Sequence, residues 1–335
     1  MTAALRIPPR SVGVGLALSA TLLALLVVSV GTGEFEIPPG DVVAALAGQG
    51  DRSTEFVVET LRLPRALTGA LVGAALGIGG AIFQSVTRNP LGSPDIVGFM
   101  QGAAAGAVLE IVVLGGGAFA IAAGSVVGGV GAAALVYVLA YRGGVTGYRL
   151  VLVGIGISAM LIAVTDYLLT RSTLDQALAA QVWLTGSLNG RGWEHVRPVA
   201  AGLAVLLPVA ALLARPLRTL ELGDDAARAL GVPVERARLA LIAVAVALTA
   251  IATASAGPIV FVALAAPQIA RRLTRVAGPG VGCAALTGAV LLVGADFLSQ
   301  RLFGDVQLPV GVVTGVAGGA YLAWLLAHEW RRGAG

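Results

Sequence analysis

The stretch LELGDDAARALGVPVERAR, residues 220–238, sets four carboxylates and three arginines among leucines, alanines and valines. Asp224 and Asp225 open a short predicted helix, where negative charge suits the positive end of the helix dipole. Arg228 follows Asp224 by four residues and is expected on the same face. Gly231 and then Pro233 close the helix. Leu222, Ala226 and Leu230 recur every fourth residue as one apolar stripe. The small residues Ala226, Ala229 and Gly231 would let a partner's groove approach closely. From residue types alone two readings stand: an ordinary polar loop with one helical turn, or a docking helix whose charges fix its register.

The other reactive side chains are few. Cys283 is the single cysteine, so no internal disulfide is possible. His195 and His328 stand far apart, with no Cys or carboxylate at ligand spacing, so no metal site is expected. The chain has no lysine; all 22 basic residues are arginine. A phosphate-binding P-loop needs its lysine, so any ATP-driven work must be done by another chain. Glu110, Asp166 and Asp296 fall within or near apolar runs, where a carboxylate is expensive and is a functional candidate. For Glu110 and Asp166 we expect positions near the outer ends of their helices, within reach of water.

The elements that position these residues are apolar. Hydrophobic residues make up 57% of the chain and charged ones only 12%, against roughly 25% in soluble domains. Apolar runs of about 20 residues recur along it, the length that crosses a bilayer. The pattern predicts an all-α polytopic membrane protein, one transmembrane domain over residues 1–335. Ten spans are expected near 11–31, 65–84, 96–114, 118–141, 149–170, 196–214, 236–256, 259–275, 279–300 and 308–327. The first run is too long for a signal peptide and is read as an uncleaved span. With the N-terminus inside, fifteen arginines fall on inner segments and seven on outer ones, which puts both termini in the cytoplasm. Residues 219–233 then lie on the cytoplasmic side, between spans 6 and 7.

The arginines are spread along membrane loops, so the basic balance does not point to nucleic acid. The outer loop after span 1 contains a predicted surface helix at DVVAALAG. The loop after span 5 contains another short helix, with Trp183 and Trp193 as expected interface anchors. NPLGSP (89–94) forms a fixed turn between spans 2 and 3. The pairs Gly73 with Gly77, Gly102 with Gly106 and Gly311 with Gly315 have small-xxx-small spacing, which suits close helix packing.

GDDAARALGV resembles the cytoplasmic coupling helix of the iron-siderophore and cobalamin permease family of ABC importers. RLPRALTGALVGAALGIGGAIFQSVTRNPLGSPDIVGF resembles that family's second span and following turn. GPIVFVALAAPQIARR (257–272) resembles its eighth span, and LPVGVVTGVAGGAYLAWLL (308–326) its tenth. Order and spacing match over nearly the whole chain. GAIFQSVTRNPLGSPDIVGF, GSLNG and LELGDDAARALGVPVERAR are most similar to one permease subunit of ferric-enterobactin importers. Ala263 and Gln268 depart from the pattern GPIxFVGLxxPH, standing where Gly and His are usual; a packing role is expected to survive the change.

The resemblance implies the type II importer permease fold and a transport subunit with no catalytic chemistry and no bound cofactor. ATP and Mg²⁺ would be used by two partner ATPase subunits, in whose cleft Asp224, Asp225, Ala226, Arg228, Ala229, Leu230 and Gly231 would sit. Arg62 and Arg65 match arginines that meet acidic residues of the extracytoplasmic binding protein, and Arg301 lies one position beyond the third. Thr146, Gly147 and Tyr148 correspond to the inner gate region. Asp296 matches an acidic position of the family pattern. A second permease chain, a paralogue or a second copy, is also implied, as is a bacterial cytoplasmic membrane. The cargo would be a ferric siderophore of the catecholate type, or else cobalamin, haem or another siderophore. An ion-coupled secondary transporter would instead rest on Glu110 and Asp166. An intramembrane enzyme lacks a plausible set of groups.

Overall fold

The computed structural model describes residues 8–33, 36–94, 98–142, 144, 147–276, 278–302 and 307–333. Among them every regular element is helical. Helix α1 (Pro9–Gly31) begins with proline in its first turn, where no amide donor is needed. The surface helix α2 (Pro39–Leu46) forms where DVVAALAG predicts one. Helix α3 (Arg52–Glu55) runs through a π-helical segment (Phe56–Arg62) into α4 (Leu63–Thr87), so the second span starts well before residue 65. Helix α5 (Phe99–Leu109) likewise ends in a π-helical turn (Glu110–Leu114).

The chain continues through α6 (Ala118–Ala140), α7 (Gly147–Thr170), α8 (Leu174–Leu184) and α9 (Trp193–Leu212). Then come α10 (Ala214–Glu221), α11 (Asp224–Ala229), α12 (Val234–Ala256), α13 (Val262–Thr274), α14 (Val281–Ser299) and α15 (Val310–Gly333). Each of the ten expected spans has a helix. Seven, among the described residues, are long and apolar enough to cross a membrane. Helix α13 is only 13 residues, because Phe261 and Arg275 at its ends take left-handed backbone conformations (φ 68° and 54°) that stop it on both sides.

Helix α4 is the axis of the bundle. It packs against α1, α9, α12, α13 and α14 and is buried along nearly its whole length. Such contact without a hydrophobic drive between helices depends on small residues that bring backbones together. A Cβ added at Gly73 would lie 2.3 Å from the Gly288 carbonyl oxygen, and one at Gly77 2.2 Å from that of Ala284. At Gly80 it would lie 1.8 Å from the Ala263 oxygen, so Ala263 is a contact point of α13 on α4. Gly102 and Gly106 face Gly128 and Gly124 of α6 in the same way. The first two sequence pairs are helix crossings; of the third, Gly311 closely approaches the Thr185 carbonyl after α8, whereas Gly315 makes only ordinary contact with Val260.

Turns fix the ends of these helices. Arg88 closes α4 in the left-handed conformation, and the Asn89 side chain accepts from the Leu91 amide at 2.9 Å. Gln268 is nearly buried and its side-chain amide donates to the Pro90 carbonyl, tying α13 to this turn. Helix α8 begins with a capping box: Thr173 accepts from the Gln176 amide while Gln176 accepts from that of Thr173. Trp193 ties the start of α9 to the segment before α4: its indole N–H donates to the Glu59 carbonyl at 2.9 Å.

Candidate functional site

Two charge clusters stand out, one at each end of α4. The first surrounds α11. Gly223 enters the helix at φ 107°, and the helix ends in a complete Schellman motif. In that motif Val232 N donates to Ala227 O, Gly231 N donates to Arg228 O, and Gly231 takes φ 78°. Ala227 is buried beneath the helix, whereas Leu222 and Leu230 are 68% and 56% exposed. Leu222 caps α10 and is set apart from α11 by the extended Gly223, so the single helical stripe expected from the sequence does not form, although both leucines are exposed.

Arg228 stands four residues after Asp224, but its ion pair is with Asp225 at 2.9 Å, three residues away and exposed to solvent. Asp224 points inward to Arg238 of α12, whose guanidinium donates to both its oxygens at 2.8 and 2.9 Å. Arg88, at the end of α4, donates to it as well at 3.0 Å. Burial raises the Asp224 carboxyl, but the bonds and charges of Arg238, Arg88 and Arg228 outweigh it and hold it below its ordinary 3.8. Arg238 is itself buried and also meets Glu235 at 2.9 Å. Arg238 lies 14 residues on in another helix and Arg88 lies 136 residues back, so neither leaves a periodic signal and sequence reasoning missed both as partners. The chance of a carboxylate near Arg88 could have been read from the positive charge closing α4.

The second cluster joins α4, α14 and two loops. Arg65 forms a two-pronged ion pair with Asp296 at 2.9 and 3.0 Å. Gln300 donates to the same carboxylate at 2.9 Å. Arg65 also reaches the side-chain oxygens of Asn189 in GSLNG, at 3.3 Å, and Gln307, at 3.5 Å. The GSLNG turn is held in turn by its neighbours: Ser187 N donates to Ala256 O and Gly311 N to Gly186 O. A Cβ at Gly311 would lie 1.8 Å from the Thr185 oxygen. GSLNG, GPIVF and LPVG, three separate motifs in sequence, thus meet at this end.

Arg62 and Arg301 gather beside them around the end of α1. Arg62 donates to the Val30 carbonyl at 2.9 Å. Arg301 donates to Thr32 and to Phe297 O, with its guanidinium 3.8 Å from the Phe297 ring centre. The structure brings the three arginines to one end of the bundle.

Of the stretch Thr146 to Tyr148, Thr146 lies outside the described residues. Gly147 begins α7 against the end of α4, where a Cβ would come 2.7 Å from Thr87 O; Tyr148 is 78% exposed. Asp166 is exposed near the end of α7, and Glu110 folds over Gly116 and Gly124 near the end of α5. Among the described residues no group of three His, Cys, Asp or Glu could hold a metal ion.

Residues 21–328 match the model of the FecCD transport family. The ferric enterobactin transport system permease protein FepG of Escherichia coli (strain K12) is 50% identical over 301 residues, covering 90% of this chain and 91% of that protein. The achromobactin transport system permease protein CbrC of Dickeya dadantii (strain 3937) is 40% identical over 311 residues, 92% of this chain and 89% of that one. Among solved structures, one described as an inward-facing conformation of a metal-chelate type ABC transporter superposes with a TM-score of 0.84 at 27% identity, covering 94% of this chain and 99% of that one.

Proposed function

The chain belongs to the FecCD transport family, and from that premise we propose that it is the membrane-spanning subunit of an ATP-driven importer for a ferric catecholate siderophore. It works with two ATPase subunits that bind ATP and Mg²⁺, a second permease chain and an extracytoplasmic binding protein. Both termini are cytoplasmic, as the arginine bias indicates.

The observation that carries this reading is the placement of α11. Asp225 on its outer side, Leu230 at its end and Leu222 just before it are exposed, while Asp224 on its inner side is bound to the start of α12 and to Arg88, the residue that caps α4. A partner seated on that face would push directly on two helices of the bundle. Asp224, Asp225, Ala226, Arg228, Ala229, Leu230 and Gly231 form the contact with the ATPase. At the opposite end, Arg62 and Arg301 offer positive charge to acidic groups of the binding protein; the charge of Arg65 is already met by Asp296, so its part in docking is to hold the loops beside them. The cargo assignment rests on the relative named for ferric enterobactin at 50% identity; cobalamin, haem or another siderophore would use the same machine.

Uptake of labelled iron, supplied as a ferric catecholate, is the test, in cells with and without the gene, beside labelled cobalamin. Loss of iron uptake alone, sensitive to ATP depletion but not to an uncoupler while ATP is maintained, supports the reading. Lost cobalamin uptake with intact iron uptake changes the cargo. A well-expressed triple variant, Asp224→Ala, Asp225→Ala and Leu230→Ala, is expected to insert but not to transport. Normal transport by it would remove the coupling assignment.

A further inference from the structure

A slot of about 370 Å³ opens between the end of α6 and the start of α12, lined by Tyr137, Val138, Tyr141, Glu235, Arg236 and Leu239. Its walls are apolar. Val138 is 67% exposed and Leu239 48%, and Val127 and Leu135 continue the exposed apolar face along α6. Tyr137 and Tyr141 flank it with ring centres 6.4 Å apart, a placement that suits the boundary between hydrocarbon and headgroups. The charge at its rim is unequal. The Glu235 carboxylate already accepts from Arg238 at 2.9 Å. Arg236 is exposed and makes no ion pair among the described residues, and Arg142 is exposed at the turn just beyond Tyr141.

We propose that this slot binds one anionic phospholipid, with an acyl chain along Val138 and Leu239 and its phosphate at Arg236. Basic pockets between spans on the cytoplasmic side favour negatively charged headgroups, each arginine contributing attraction within a Debye length. A zwitterionic lipid gains less, since the carboxylate that could receive its ammonium is already committed to Arg238. Glu235, which lines the slot, pairs with Arg238, and Arg238 pairs with Asp224, so the bound lipid is linked through these two contacts to the start of α11.

The test is native mass spectrometry of the full-length chain in its purified complex, with phosphatidylglycerol or phosphatidylethanolamine added in equal amounts. The wild type is expected to retain phosphatidylglycerol preferentially. Arg236→Gln is expected to weaken that retention about fivefold, on the scale of one arginine near a charged surface, and Arg236→Lys to restore most of it. Val138→Trp, which fills the slot without touching charge, is expected to lower retention of both lipids. Equal retention by wild type, Arg236→Gln and Val138→Trp overturns the proposal, as does equal retention of the two lipids by the wild type. A photoreactive probe at Val138→Cys, in a Cys283→Ala background, should attach to lipid in native membranes. Attachment to a protein chain instead would place a partner in the slot and overturn it too.

Discussion

Arg65 and Asp296 pair through two parallel contacts across the α4–α14 interface, with their side chains only 14% and 7% exposed. Removing one member of a buried pair leaves an uncompensated charge and costs about 3–5 kcal/mol. Asp296→Ala and Arg65→Ala should therefore each lower the melting temperature of the detergent-solubilised protein. The double variant should lose much less than the sum of the two. Additive losses would show that the pair is not the source of the stability.

The glycines separate into two classes. Gly80→Ala sets a methyl against the Ala263 backbone and should prevent stable accumulation of the protein in membranes. Gly13→Ala and Gly282→Ala, where nothing lies within 4 Å, should express at wild-type levels. Quantifying the membrane-inserted protein by immunoblot distinguishes them.

Asp224 and Asp225 are neighbours with unequal duties. Asp225→Asn loses only an exposed contact with Arg228, which solvent screens, and should leave stability unchanged. Asp224→Asn should lower the melting temperature at neutral pH. Because the Asp224 carboxyl is held below 3.8 in the folded protein, its contribution is present above that value and lost as pH falls through the folded pKa. The difference in melting temperature between wild type and Asp224→Asn should thus persist from neutral pH to about pH 4 and vanish only in stronger acid.

Gln268 tests what the family's histidine does. Gln268→Leu removes the bond to Pro90 at a cost of about 1 kcal/mol and should reduce iron uptake modestly. Gln268→His should transport like the wild type. A large gain in uptake would mean that the imidazole has a mechanistic part beyond packing.

Neutralising Glu110 and Asp166 together, as Gln and Asn, should leave uptake intact. Abolished uptake in a well-folded double variant would favour an ion-coupled mechanism.

How much of this was legible in the sequence depends on the range of the interaction. The spans follow from runs of apolar residues, and each has its helix; α8, with its Thr-x-x-Gln start, and α2 were equally readable. The glycine pairs were legible because a four-residue spacing is local. The π-helical segments at Phe56–Arg62 and Glu110–Leu114 were not, since no composition marks them. Periodicity set Arg228 on the face of Asp224, but the Asp224 carboxylate is taken by Arg238 and Arg88, which other parts of the chain bring within reach. The gathering of Arg65, Asp296, Asn189 and Gln307 spans more than 200 residues of chain and has no local signature. Asp296 stood out as a carboxylate in an apolar run and Arg65 through the resemblance, but neither reading paired them.

The two charge clusters belong to one rod. From Arg65 to Arg88 the α4 helix rises about 35 Å at 1.5 Å per residue, close to the thickness of a bilayer's hydrocarbon. Midway it is wedged between α12 and α13 at Gly79 and Gly80, with no free face on which to slide. A rod clamped at Gly73, Gly77 and Gly80 against its neighbours has little room for motion of its own. Whatever displaces Arg88 and whatever displaces Arg65 therefore act on one stiff part that both mouths of the bundle share.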